Sequence, residues 1–503
     1  MYEQVISVAP TNPYGFGNYA DFLWTVRDEH DRAEEMYQRA VDTDYADVHI
    51  LGNYADFLWT VRDEHDRAEE MYQRAVDTDY ADVHILGNYA DFLWTVRDEH
   101  DRAEEMYQRA VDTDYADVHI LGNYADFLWT VRDEHDRAEE MYQRAVDTDY
   151  ADVHILGNYA DFLWTVRDEH DRAEEMYRRA INADPTDARA LRNYADFLWT
   201  VREEHDRAEK MYRRAINADP TDARALRNYA DFLWTVRDEH DRAEEMYQRA
   251  VDTDYADVHI LGNYADFLWT VRDEHDRAEK MYRRAINADP TDARALRNYA
   301  DFLWTVRDEH DRAEEMYQRA VDTDYADVHI LGNYADFLWT VRDEHDRAEE
   351  MYRRAINADP TDARALRNYA DFLWTVREEH DRAEKMYRRA INADPTDARA
   401  LRNYADFLWT VRDEHDRAEE MYQRAVDTDY ADVHILGNYA DFLWTVRDEH
   451  DRAEKMYRRA INADPTDARA LRNYADFLWT VREEHDRAEE MYRRAVDADS
   501  DRG

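Results

Sequence analysis

The sequence predicts an all-α solenoid, a linear stack of helix pairs. Two observations lead there. The string Asn-Tyr-Ala-Asp-Phe-Leu-Trp recurs 14 times, from Asn18 to Asn473, always 35 residues apart. Within each 35-residue repeat, two apolar stripes at helical spacing flank a short polar run. A fixed period of this size marks one helical unit stacked on copies of itself. The repeats fill residues 11–500 as one array, overriding the usual expectation of several domains for 503 residues.

The repeat 186–220 shows each element. Leu191, Tyr194, Ala195, Leu198 and Val201 recur at three- and four-residue steps, which predicts a first helix with one apolar face. Thr186 or Asp187 supplies its cap. The run Arg202-Glu203-Glu204-His205-Asp206 interrupts the pattern. Asp206-Arg-Ala-Glu209 then reads as a variant capping box. Ala208, Met211, Tyr212, Ala215 and Ile216 form a second helical stripe, ended by Asp219-Pro220 because the residue before proline is driven out of the helical region.

Two kinds of joint connect the repeats. The proline form reads Ile216-Asn-Ala-Asp-Pro-Thr-Asp-Ala-Arg-Ala-Leu-Arg227, and the tyrosine form Val41-Asp-Thr-Asp-Tyr-Ala-Asp-Val-His-Ile-Leu-Gly52. Proline stiffens the first. Gly52 weakens the helix after the second, so the N-terminal third, all of tyrosine form, is expected to be the more pliable part. Residues 123–307 and 298–482 are identical, a block repeat of 175 residues, consistent with duplication or deliberate construction. Met1-Tyr2 and Pro10 fall in register with Met36-Tyr37 and Tyr45, so residues 1–10 read as the tail of a preceding repeat and 501–503 as a short tail. The first repeat is altered by Pro13, Gly15 and Gly17.

The net charge is -51, of which residues 1–150 carry -24. The acidity belongs to the tyrosine form: repeat 81–115 has 9 acidic and 3 basic residues, whereas 186–220 has 7 of each. Such a surface disfavours nucleic-acid phosphates and anionic membranes and favours basic protein partners. There is no cysteine, no apolar run of membrane-spanning length and no signal-peptide pattern at Met1-Tyr2-Glu3-Gln4, which together suggest a cytoplasmic chain.

The residues of each repeat resemble the tetratricopeptide repeat. Ala208, Tyr212, Ala215 and Pro220 match that family's second-helix signature, and Leu191, Tyr194-Ala195 and Leu198 its first. The repeat departs from the family in two ways. It is longer than the usual ~34 residues, with the extra residue expected in the Glu204-His205-Asp206 turn, and Leu191 stands where the family has a large aromatic residue. Tyr-Ala-Asp-Phe followed by Asp-Arg-Ala-Glu-x-Met-Tyr-x-Arg-Ala also resembles the half-a-tetratricopeptide repeat of RNA-processing scaffolds, although Leu198 stands where that family has Glu.

The tetratricopeptide resemblance implies a right-handed superhelix whose first helices line a concave groove. Carried over by position, the groove shows His49, Asn53, Asp56, Trp59 and Thr60 in one repeat. It shows Arg189, Arg192, Asn193, Asp196, Trp199 and Thr200 in another, with Asp231 and Trp234 continuing the ladders. Aromatic anchors and carboxylates in register suit an extended or helical basic peptide. The competing role for Trp199 is packing between repeats. The family's carboxylate clamp is matched only by Asn193, and Asp196 would repel a carboxylate. His49 and its equivalents would make the groove pH-sensitive.

Other features read as structural. Asp42-x-Asp44-x-x-Asp47 lacks the Gly and distal Glu of a calcium loop, and one His30 per repeat makes a poor zinc site. Glu35 and Arg39 are spaced to pair on a helix surface. No phosphate loop, nucleophile elbow or triad pattern is present, and near-identical repeats give no position the singularity of an active site. No cofactor and no enzyme activity is expected. The function expected is a binding scaffold for protein or peptide segments. The alternatives are a structural protein joining end to end into a filament and a scaffold of an RNA-processing complex.

Overall fold

The computed structural model describes residues 12–43, 47–78, 82–113, 117–148, 150–428 and 430–500. Residues 1–10, read above as a repeat tail, lie outside the described residues, as do 501–503 and Asp44 of the aspartate cluster. The chain forms two compact bodies, 1–255 and 256–503. Each body is built from the same unit, and among the described residues every regular element is a helix.

The unit is an antiparallel helix pair. In repeat 186–220 the first helix is Ala188–Thr200 and the second His205–Ala218. Asp187 is the cap of the first, its carboxylate accepting from the Ala190 amide at 2.7 Å. Thr186 does not cap; its amide and hydroxyl donate to Asp184, each at 2.8 Å. The expected capping box at Asp206 is absent. Glu204 occupies the cap position but accepts from Arg207 and from no backbone amide, and Asp206 sits inside the first turn, where its charge favours the positive end of the helix.

The polar run makes a wide turn. The Phe197 carbonyl accepts from both the Val201 and Arg202 amides, at 3.0 and 3.4 Å, and the Leu198 carbonyl accepts from the Glu204 amide at 2.9 Å. Glu203 closes it in the left-handed region at φ 54°, a place taken by Asp or Glu in every repeat. In three repeats the turn becomes a full π-helical segment, Leu58–Arg62, Leu408–Arg412 and Leu478–Arg482. A π-type turn accommodates one residue more than an α-helical end. The additional residue of the repeat is therefore absorbed at the end of the first helix, not in Glu204-His205-Asp206; His205 and Asp206 are helical.

The joint types differ in helix length. The second helix runs 14 residues to Ala218 in the proline form and 12 to Val111 in the tyrosine form, where Gln108 donates to Asp112 at 2.7 Å. The buried faces match the apolar stripes, with one exchange. Phe197 is fully buried, whereas Val201 at the helix end is only partly covered. Glu35 and Arg39 do not pair; the Arg39 guanidinium lies 4.3 Å from the centre of the Phe16 ring.

The first helices of tyrosine-form repeats contain a glycine whose role depends on the next repeat. A Cβ at Gly87 would lie 2.8 Å from Ile120 Cγ1, so the glycine permits close approach. A Cβ at Gly157, in the same helix sequence, would meet nothing within 4 Å. Gly87→Ala is expected to destabilise by about 1–3 kcal/mol through overpacking. Gly157→Ala is expected to stabilise by up to about 1 kcal/mol through helix propensity. Urea unfolding followed by circular dichroism measures both; shifts of the same sign would refute the assignment.

Candidate binding face

Each constant heptapeptide is a set of contacts between repeats. Phe232 enters an aromatic socket made by the preceding repeat. Tyr212 lies 5.6 Å from it, Trp199 meets it edge-on at 5.6 Å and His205 edge-on at 6.3 Å, all between ring centres. Arg237 of its own repeat lies over the same ring at 5.5 Å. Edge-to-face and offset aromatic pairs each add to the burial they accompany. Tyr212 also stacks on Tyr229, at 5.6 Å and 26°. The socket explains the tryptophans: they are partly covered wherever a following phenylalanine is present, and Trp479, which has none, is 51% exposed and rests on His485.

Asp196 ties three side chains together. Its Oδ1 accepts from the Tyr212 hydroxyl in its own repeat, and its Oδ2 accepts from Asn228 Nδ2 of the next repeat at 2.7 Å. Asp56 is held in the same way by Tyr72 and Asn88. Burial pushes the Asp196 carboxyl up to about 6, against the hydrogen bonds from Tyr212 and Asn228 and the nearby arginines, which act to lower it. Burial, with the charge of Asp196, pushes the Tyr212 hydroxyl well above its ordinary value.

A third tie lies along the second helices. Glu174 is buried and receives Arg207 and Arg202 of the next repeat, at 2.9 and 3.1 Å, with Arg178 of its own helix at 2.6 Å and the Tyr194 hydroxyl at 3.0 Å. In repeats with glutamine in place of Arg178, the tyrosine hydroxyl turns to that glutamine: Tyr89 donates to Gln73 at 3.2 Å. Arg97 and Arg102 still hold Glu69. Burial acts to raise Glu174, but the hydrogen bonds from Arg207 and Tyr194 and the arginine charges outweigh it, and the carboxyl sits below its usual value.

Most of the residues expected in a groove therefore also bind the array together. Trp59 and Trp199 pack on Phe92 and Phe232, and the hydroxyls of Thr60 and Thr200 donate to the Asp56 and Asp196 carbonyls. Asn53 and Asn193 donate to the aspartates of the preceding repeats. Arg192 donates to Asn193 and reaches Asp222 at 3.2 Å, and Asp231 accepts from Tyr247. His49, Asn53, Thr60, Arg189 and Thr200 are exposed, Arg189 donating to Asn158 at 2.9 Å, and Trp59, Trp199 and Trp234 are partly exposed. The periodic apolar stripe did not reveal Phe197 or the Glu174–Arg202–Arg207 tie. The available signal was invariance: a charged residue identical in every repeat is set by a partner that also repeats.

A tetratricopeptide-repeat profile matches the chain in eleven overlapping stretches that together cover 23–257, 268–433 and 440–502. The chain belongs to the tetratricopeptide-repeat family. Tetratricopeptide arrays are in general protein-interaction scaffolds. No curated protein matches this one. Among solved structures, yeast Tom70 is similar at 15% identity over 97% of this chain and 96% of that one, with a TM-score of 0.41. PilF of Pseudomonas aeruginosa is similar at 20% identity over 47% of this tetratricopeptide chain and 97% of its own, with a TM-score of 0.36. No helix among the described residues is long and apolar enough to cross a membrane.

The two carboxylate sets give the array opposite responses to acid. Asp91, Asp126, Asp196, Asp266 and Asp371 are raised to about 6, so the folded state binds protons more tightly than the unfolded chain. Their contribution to stability grows as pH falls from neutral through 6 towards 4. Glu174, Glu209, Glu279, Glu349 and Glu454 are lowered, so the stability they supply is present above the usual glutamate range and is lost as pH falls below it. The thermal midpoint is expected to be higher near pH 5.5 than near pH 7.5 and to fall again below about pH 4. A midpoint that declines steadily from pH 7.5 downwards would contradict the buried state of the aspartates.

Proposed function

We propose that the array holds basic segments of other proteins along the strip formed by its first helices. Successive first helices pack on one another within each body, so their outward residues form a continuous row. The observation that carries the reading is the recurrence on this row of a partly exposed tryptophan beside an exposed threonine, as at Trp59-Thr60 and Trp199-Thr200, on a chain of charge -51. The rings offer a face to aliphatic stems and guanidinium groups, and the field of the array draws cations to them.

The aspartates of the strip contribute through charge more than through direct bonds. Asp56 and Asp196 already accept from a tyrosine and an asparagine, and breaking those bonds would loosen the array. Affinity for a basic segment is therefore shared between many weak aromatic and Coulombic contacts in register, which suits a long ligand over a short one. His49 and Thr60 add exposed polar groups for orientation.

All 14 tryptophans lie on the strip, so their fluorescence reports its occupancy without any substitution. A 20-residue peptide of alternating lysine and leucine, titrated against the full chain, is expected to bind and to shield the tryptophans from acrylamide. Affinity should weaken about tenfold between low and physiological salt. Binding that leaves acrylamide quenching unchanged would move the site off this face. Absence of binding at low salt would overturn the reading.

A further inference from the structure

The residue before Asn-Tyr-Ala-Asp is Gly in tyrosine-form first helices and Arg in proline-form ones from the second repeat onwards. The residue 33 positions later, in the next repeat, is Ile or Ala by the same rule. Four pairings are possible across a joint, and the order of joint types along the chain produces all four.

Two pairings fit. Gly52, Gly87 and Gly122 leave room for Ile85, Ile120 and Ile155, whose Cγ1 atoms lie 2.8 to 3.1 Å from where a Cβ would stand. Arg192, with Ala225 in the place of isoleucine, extends to Asp222 at 3.2 Å, and Arg367, with Ala400, extends to Asp397 at 2.9 Å. In each the guanidinium Nε donates to the neighbouring asparagine, Asn193 or Asn368, at 3.3 Å.

The other two do not fit, and each fails in its own way. Gly157 with Ala190, Gly262 with Ala295, Gly332 with Ala365 and Gly437 with Ala470 are small facing small. No heavy atom comes within 4 Å of a Cβ built on any of these four glycines. At the first, Val153, Gly157, Asn158, Asp187 and Ala190 line a cavity of ≈ 10 Å³, room for one water. Arg297 with Ile330 and Arg402 with Ile435 are large facing large. There the Nε of both arginines is buried without a hydrogen-bond partner, and Arg402 turns back to Asp406 of its own helix at 3.8 Å. An unfilled gap and an unsatisfied buried donor both weaken an interface.

We propose that matching across the joint, and not the identity of either repeat, sets its strength, so that the mixed joints are seams at which the array opens first. The strength of a stacked array is a sum of nearest-neighbour terms, and a weak term localises opening. The order of tyrosine and proline joints then places compliance at chosen points: the small-facing-small seams fall at Gly157, Gly262, Gly332 and Gly437. Opening at a seam changes the spacing of the strip on either side of it.

The absence of cysteine allows a single thiol to report one joint among near-identical repeats. Leu191 and Leu226 are both fully buried in first helices of the same sequence, Ala188–Thr200 and Ala223–Thr235, but follow a mixed and a matched joint respectively. In the full chain, Leu191→Cys is expected to react with dithionitrobenzoate about tenfold faster than Leu226→Cys. Adding Ala190→Ile or Gly157→Arg to Leu191→Cys repairs the joint and should slow the reaction to the Leu226→Cys rate. Adding both recreates a mismatch, large facing large, and should restore the fast rate. Ala225→Ile should speed Leu226→Cys. A Leu191→Cys rate that neither repair slows, or a double substitution as slow as either single one, would overturn the proposal. Ala190→Ile and Gly157→Arg repair the joint independently, so either one decides the matter where the other folds poorly.

Discussion

The insertion of one phenylalanine into the aromatic socket of the preceding repeat is the contact on which the rest of the array depends. Phe232 touches Trp199 in the first helix of the earlier repeat and His205 and Tyr212 in its second. A repeat can build the socket but cannot fill it. Its stability is therefore completed by its neighbour, as a one-dimensional array requires. Trp479 shows the consequence, since without a following phenylalanine it stands half exposed. The constant heptapeptide is constant because plug and socket rims must stay matched at every joint; its Phe is the plug for one interface and its Trp part of the socket for the next.

The polar ties work differently from the socket. A carboxylate buried without partners would cost several kcal/mol. Asp196 avoids that by accepting from Tyr212 and Asn228, and Glu174 by receiving arginines from the next repeat. These groups add directional constraint: the bonds of Asp196 form only when Asn228 stands in one register, whereas the aromatic contacts tolerate small slips. A chain of net charge -51 can stack in this way because its arginines are spent at the joints. The carboxylates they leave over, such as that of the exposed Glu175, point to water and repel one another far less across it.

Much of this was legible from the 35-residue period. The helix pairs and their buried stripes at Leu191, Tyr194, Ala195 and Leu198 and at Ala208, Met211, Tyr212, Ala215 and Ile216 are as the apolar periodicity predicts, and the break at Asp219-Pro220 is as the proline predicts. The helix starts were harder. Thr186, Asp187, Asp206 and Glu209 are all competent capping residues, and only the path of the wide turn after Phe197 decides that His205 begins the second helix. The face was the least legible part. A conserved-looking Trp or Asp reads alike whether it serves a partner or the next repeat. The distinction lies in contacts 32 and 33 residues away, such as Asn228 to Asp196 and Trp199 to Phe232, which helical periodicity within one repeat does not register.

Near-identity of the repeats makes the small differences between them decisive. Within each body the sockets and polar ties recur from joint to joint with nearly the same geometry, so they cannot make one joint differ from another. The variable positions can. Exchanging Gln for Arg after Met-Tyr redirects one hydroxyl without loss, because Tyr89 finds Gln73 as readily as Tyr194 finds Glu174. Exchanging the glycine–isoleucine pair for arginine–alanine is neutral only when both partners change together. A first helix carries one half of the pair and the following first helix the other, so a change of joint type always leaves a mismatch at its border. The differences between joints therefore come from the order in which two otherwise sound repeat types are strung.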